Sequence, residues 1–136
     1  MIRAIFAFIL GLAVWLLVAS LLNQGLRLGL EGYAAAEPQM TFTHGMMAAR
    51  LALGAVGSLA TGAVAMAIAP SSKRVPWVLG AFLLAAFIPV HVRLWTKFPV
   101  WYHVVFLGTL VPFVLLGSTL TKNRSWTRPS VQGGKA

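Results

Sequence analysis

The chain has 136 residues, 59% of them hydrophobic and 10% charged, with a mean hydropathy of +0.83. Soluble domains carry about 25% charged residues, so this chain has too few polar side chains to cover a water-facing surface, and lipid is its expected solvent. Net charge is +9, from eleven Lys and Arg against two acids; the basic residues stand in short clusters between apolar runs, a membrane-flank pattern and not a nucleic-acid surface, and the absence of cysteine excludes disulfides, thiolate metal sites and cysteine nucleophiles.

A hydrocarbon core of about 30 Å needs about 20 apolar residues in a helix. Four stretches meet that length, and the predicted fold is an all-α, integral membrane four-helix bundle. The first span covers 4–23 and carries no charge over 5–22. Arg3 before an apolar run also suits a signal peptide, but the run exceeds the roughly 7–15 residues of a signal core. It reads as an uncleaved span. The connection over 23–44 is the longest. Leu22, Leu26 and Leu30 recur in it at helical spacing, so it either extends the first helix or lies flat on the membrane. Glu37-Pro38 is predicted to open the second helix, with proline in the first turn.

The second span, 46–69, carries two stripes of small residues four apart: Gly54, Ser58 and Gly62, and beside them Gly57, Thr61 and Ala65. Helices in lipid associate where small residues let backbones approach, so this helix should be central, by packing within the bundle or in a subunit contact. Arg50 sits one turn above Gly54 on the same face. A charge there must pair or reach water; snorkelling to the headgroups and pairing with Glu31 or Glu37 both satisfy this. The third span, 75–92, follows Ser71-Ser72-Lys73-Arg74, and Pro89 should kink or end it. The fourth, 100–120, contains Pro112, which leaves the carbonyl of Gly108 without its helical donor; neighbouring helices or Thr109 could relieve it. The segment 122–136 is basic and polar, and reads as a disordered cytoplasmic tail able to touch anionic lipid.

Flanking charge sets orientation. Arg3, Lys73, Arg74, Lys122, Arg124, Arg128 and Lys135 share one side, against Arg27, Arg50, Arg93 and Lys97 on the other. Both termini are therefore expected in the cytoplasm, and in a bacterium the second side faces the periplasm. Trp95, Phe98, Trp101 and Tyr102 form an expected aromatic belt at that outer boundary, with Trp77 at the inner one.

The outer side also holds His44, His91, His103, Glu31 and Glu37. Three histidines and a glutamate suit a zinc, copper or non-haem iron site, and two histidines on facing helices could ligate haem. No two histidines are four apart and no HExxH motif exists, so no metal or cofactor is predicted and interfacial histidines are the default. The spans hold no acid within their apolar cores, no phosphate-binding glycine loop and no GxSxG; Ser20, Ser58, Thr61 and Thr109 can each bond their own helix, and Trp15 reads as packing.

Phe87-Ile88-Pro89-Val90-His91, then Leu94-Trp95, then Phe98-Pro99-Val100-Trp101-Tyr102-His103 resembles a signature of small uncharacterised bacterial inner-membrane proteins, over roughly 50–120. The resemblance implies a bacterial four-helix membrane protein and no activity. The general plan is also similar to DoxX-like four-helix membrane proteins, some linked to quinone or thiol redox chemistry; the likeness is architectural. The expected function is a non-catalytic accessory subunit packed through its small-residue stripe and aromatic belt against a larger respiratory or photosynthetic complex. The alternative is a periplasm-facing metal-, haem- or quinone-linked redox protein using the outer cluster.

Overall fold

A computed structural model describes residues 1–126, with side chains through residue 124. The polar tail expected over 122–136 falls largely on residues 127–136, outside the described residues. Its first part continues the last helix.

Among the described residues there are five helices and one 3-10 turn: α1 Ile2–Gly29, α2 Tyr33–Ala36, a 3-10 helix Glu37–Gln39, α3 His44–Ile68, α4 Arg74–Arg93 and α5 Val100–Trp126. No strand occurs among the described residues. Four of the helices (α1, α3, α4 and α5) are long and apolar enough to cross a membrane. The helix of the first expected span runs on past Leu22 and Leu26 to Gly29, with Leu30 as its C-cap, a length of about 42 Å at 1.5 Å per residue.

Gly32 then takes φ 77°, a left-handed conformation that costs an L side chain about 1–2 kcal/mol, and the chain turns back over the mouth of the bundle. The second helix does not open at Glu37-Pro38. Proline sits there in the 3-10 turn, and the helix begins four residues after that turn. Thr43 caps it, its hydroxyl accepting from the Met46 backbone N–H at 3.3 Å. Pro89 neither ends nor splits α4, which continues one turn further to Arg93.

α3 is the central helix, packed along α1 on one side and α5 on the other. Its two stripes divide this work. On the Gly57 stripe, Gly57 lies under the Trp15 indole, and Thr61 donates to the Gly11 carbonyl of α1 at 3.1 Å. On the Gly54 stripe, Gly54 meets the Phe106 ring and Gly62 meets the α5 backbone at Val114. Gly117 of α5 returns the contact against the backbone of Leu59. A Cβ at Gly62 would lie 2.8 Å from the Val114 carbonyl carbon, so glycine is required for this approach. Thr61 thus bonds across helices, not to its own. Thr109 bonds the carbonyls of Val105 (2.7 Å) and Phe106 (3.2 Å) and leaves the Gly108 carbonyl alone.

Two apolar clusters form. One runs through the bundle from Ala7, Val75 and Leu79 to Trp15 and Phe106. The other, of Tyr33, Phe42, Met46, Met47, Phe98 and Tyr102, closes the mouth that carries the histidines. The expected aromatic belt therefore splits: Trp95 and Trp101 stay exposed, whereas Phe98 and Tyr102 turn inward and are buried.

Candidate functional site

The polar residues at the histidine mouth sort into three groups with different surroundings. The first is a chain of hydrogen bonds that ties the connection after α1 to α1 and α3. Arg50 Nη1 donates to the Tyr33 hydroxyl at 2.7 Å, which donates to Asn23 Oδ1 at 2.8 Å. Asn23 Nδ2 donates to Glu37 Oε1 at 2.9 Å. Glu37 Oε2 lies 2.6 Å from Arg27 Nε, an ion pair by distance. That N–H is not aimed well enough at the oxygen to count as a hydrogen bond. The α1 extension makes the chain possible, because Asn23 and Arg27 are one turn apart on its face.

The expected pairing of Arg50 with Glu31 or Glu37 does not form. Glu37 is taken by Arg27 and Asn23, Glu31 is exposed, and the Arg50 guanidinium bonds a neutral phenol instead. Nor does Arg50 simply snorkel: it is half-buried, with its carbon Cζ 4.9 Å above the Phe42 ring, and its Nε is buried without a partner. A cation over an aromatic face gains about 0.5–2 kcal/mol, which offsets only part of the cost of removing it from water.

The second group is His91 and His103. Their Nδ1 atoms are 2.7 Å apart, and both rings are buried, at 5% and 1% exposure. α4 and α5 leave a short connection at the same depth, and the indole of Trp95 stacks on His103 with centroids 4.8 Å apart. The bond needs one Nδ1–H and one bare Nδ1. Two nitrogens on a tetrahedral zinc would be about 3.3 Å apart at bond lengths of 2.0–2.1 Å, so the pair is hydrogen-bonded ring to ring with no room for an ion between. His103 Nε2 is buried and unpartnered.

His44 is the third group. It is exposed at the start of α3, its ring stacked over Trp101 with centroids 6.3 Å apart. The three histidines thus do not converge. Among the described residues no group of three His, Cys, Asp or Glu side chains could hold a metal ion.

Beneath Arg50 lies a cavity of about 290 Å³. Its walls are apolar: Trp15, Leu16, Ala19, Leu53, Phe87 and Phe106. Its head is polar: Arg50, Tyr102, Asn23 and Glu37, with Ser20 at the rim. Leu16 is 64% exposed and Ser20 is exposed, so the cavity opens on the exposed surface of α1. Its floor is fixed. The Trp15 indole packs on Phe87 with centroids 4.8 Å apart and donates to the Ser58 hydroxyl at 3.3 Å, while Ser58 donates to the Gly54 carbonyl at 2.8 Å.

Of the residues singled out from the sequence, Arg50 and Glu37 share this cavity, and Trp15 belongs to its wall. Tyr33, Asn23, Phe42 and Phe87 were missed. A helical reading of 23–29 would have raised Asn23; nothing periodic marks Tyr33 or Phe42. The chain matches no protein-family model, no curated protein and no solved structure.

Proposed function

We propose that this chain is a multi-pass protein of a bacterial inner membrane that takes an amphiphilic molecule sideways from the bilayer. The molecule's head would sit beside Arg50 and Tyr102, and its tail would leave past Leu16 and Ala19. One observation carries the reading: a cavity with apolar walls, open to the lipid side, ends on a half-buried guanidinium. Ionisable residues inside a membrane domain mark ligand or ion pathways by default, and a largely apolar pocket with a few convergent polar groups is the usual form of a binding site. At about 290 Å³ the cavity would hold a head and the first part of a tail.

The basic flanks support both termini in the cytoplasm, with the cavity's head toward the periplasm. The quinone of the sequence reading is one member of the amphiphile class. The accessory-subunit role is the competing proposal, but the small residues expected to make that contact, Gly54, Gly57, Ser58, Thr61, Gly62 and Ala65, are buried inside the bundle. A partner complex would have to seat on the aliphatic faces that lipid covers equally well.

The test is photolabelling of the full chain in neutral lipid vesicles with an alkyl amphiphile bearing a diazirine in its tail. Labelled peptides should concentrate around Leu16, Ala19 and Phe106, and Ala19→Trp should remove them. Label spread evenly over the exposed face of α1, unchanged by Ala19→Trp, would overturn the proposal.

A further inference from the structure

We infer that the head of this amphiphile is anionic, a phosphate or carboxylate group that supplies the counter-charge Arg50 lacks. The inference rests on the lateral-binding reading above.

The whole chain contains two acids. Glu37 is engaged by Arg27 and Asn23, and that ion pair sums to no charge. Glu31 is exposed and bonds nothing at the cavity. Among the described residues no carboxylate lies within ion-pair distance of Arg50. Its guanidinium is always charged and is held by the phenols of Tyr33 and Tyr102 and by the Phe42 ring, with the Nε N–H buried and unpartnered.

The hydrogen-bond chain fixes the direction of the surplus. The hydrogen bonds donated by Arg50 Nη1, Tyr33 and Asn23 run toward Glu37, and that carboxylate, although it lines the same cavity, is engaged by Arg27 and Asn23 and not by Arg50. Tyr102, which lines the same space, adds a hydroxyl. A half-buried cation must pair or reach water, and with the chain's own acids committed, any ion-pair partner comes from outside the chain. A neutral carbonyl or hydroxyl head would fill the space but leave the charge uncompensated. Phosphate and carboxylate oxygens make the stronger, charge-assisted bonds with a guanidinium.

The experiment is a native mass-spectrometry titration of the full chain in a non-ionic maltoside detergent. Two matched probe pairs differ only in their heads: oleate against oleyl alcohol, and dioleoyl phosphatidate against dioleoylglycerol. Each anionic member should bind one-to-one and at least about tenfold tighter than its neutral partner, the ratio expected for one retained charge-assisted bond. Arg50→Gln should abolish that preference, Arg50→Lys should keep most of it, and Ala19→Trp should weaken every probe.

If Arg50→Gln loses helix content by circular dichroism, the matched pairs on the wild-type chain decide alone. Equal binding of charged and neutral members, still blocked by Ala19→Trp, would overturn the anionic head and leave the lateral site standing. A preference that survives Arg50→Gln would assign it to the exposed basic rim and overturn the inference too. Probes that ignore Ala19→Trp, or do not bind at all, would overturn the lateral site itself. A preference for only one of the two anionic heads would support the inference and identify that head as the source.

Discussion

Replacing Gly62 by alanine attacks the closest helix contact in the molecule. The new Cβ would overlap the carbonyl oxygen of Val114 and lie 2.8 Å from its carbon and 3.0 Å from the Ser118 nitrogen. These are backbone atoms of α5, so no side chain can swing aside. Restoring an ordinary carbon–carbon contact of 3.5–4.0 Å requires α5 to retreat by about 1 Å, and gaps of that size forfeit about a quarter to a half of each neighbouring dispersion contact. Overpacking of this kind costs about 1–3 kcal/mol, and a rigid neighbour puts Gly62→Ala at the upper end. Alanine recovers about 1 kcal/mol through its better helix propensity. The expected loss is about 2 kcal/mol, roughly a thirtyfold shift in the unfolding equilibrium.

Gly108→Ala and Gly25→Ala are the controls, since a Cβ at either position meets nothing within 4 Å. They should be neutral or stabilising by up to about 1 kcal/mol. Gly117→Ala should match Gly62→Ala, because its Cβ would overlap the Leu59 carbonyl and lie 2.9 Å from the Leu59 Cα. The double variant should lose less than the sum, since one displacement of α5 relieves both overlaps. Unfolding by dodecyl sulfate in mixed micelles, followed by circular dichroism, measures all of these. A Gly62→Ala chain within about 0.5 kcal/mol of Gly108→Ala would refute the reasoning.

Tyr33→Phe should cost about 1.5–3 kcal/mol in the same assay, because it strips a charged donor of its acceptor and Asn23 of its donor; a loss under about 0.5 kcal/mol would mean that water replaces the hydroxyl. Thr61→Val should cost only about 0.6 kcal/mol, the mean for an interhelical hydrogen bond in a membrane, since the Gly11 carbonyl lies mid-helix and keeps its place in the backbone ladder of α1. Glu37→Gln should stay within about 1 kcal/mol, because the paired Arg27 is 46% exposed and Asn23 keeps an amide acceptor. The chain's lack of cysteine makes topology testable in bacterial cells. Cysteine at Lys97 should react with a membrane-impermeant maleimide and cysteine at Ser71 should not; the reverse pattern would invert the proposed orientation.

The four long apolar helices were legible because about twenty apolar residues between charged flanks have few alternatives to a helix long enough to cross a bilayer. The small-residue stripes were legible as packing faces, although which helix each would meet was not, since that depends on how α3 is rotated. Helix entry was misread at Glu37-Pro38 because proline fits a 3-10 turn as well as a first helical turn. Thr43, a good capping residue without the Glu or Gln three residues on that would flag it, was the better signal. The partner of Arg50 could not be read because it sits on a four-residue helix whose placement depends on one left-handed glycine, Gly32. His91 and His103 meet only because two helix rotations and one turn bring the rings together, and spacing along the chain encodes none of these.

The close approach of α3 and α5 at Gly62 and Gly117 also bears on the order of assembly. α1 and α3 can dock as soon as both are made, through Trp15, Ser58, Thr61 and Gly11. The other face of α3 has to wait for α5, which is synthesised after it with α4 laid down between them. Until α5 docks, the groove at Gly54 and Gly62 lacks the neighbours it has in the finished bundle. In order of synthesis 31 residues separate Ile68 from Val100, and the α5 residues that fill the groove, Phe106 and Val114, come later still. Lengthening the connection between α3 and α4 would prolong that interval without touching a single contact of the finished bundle.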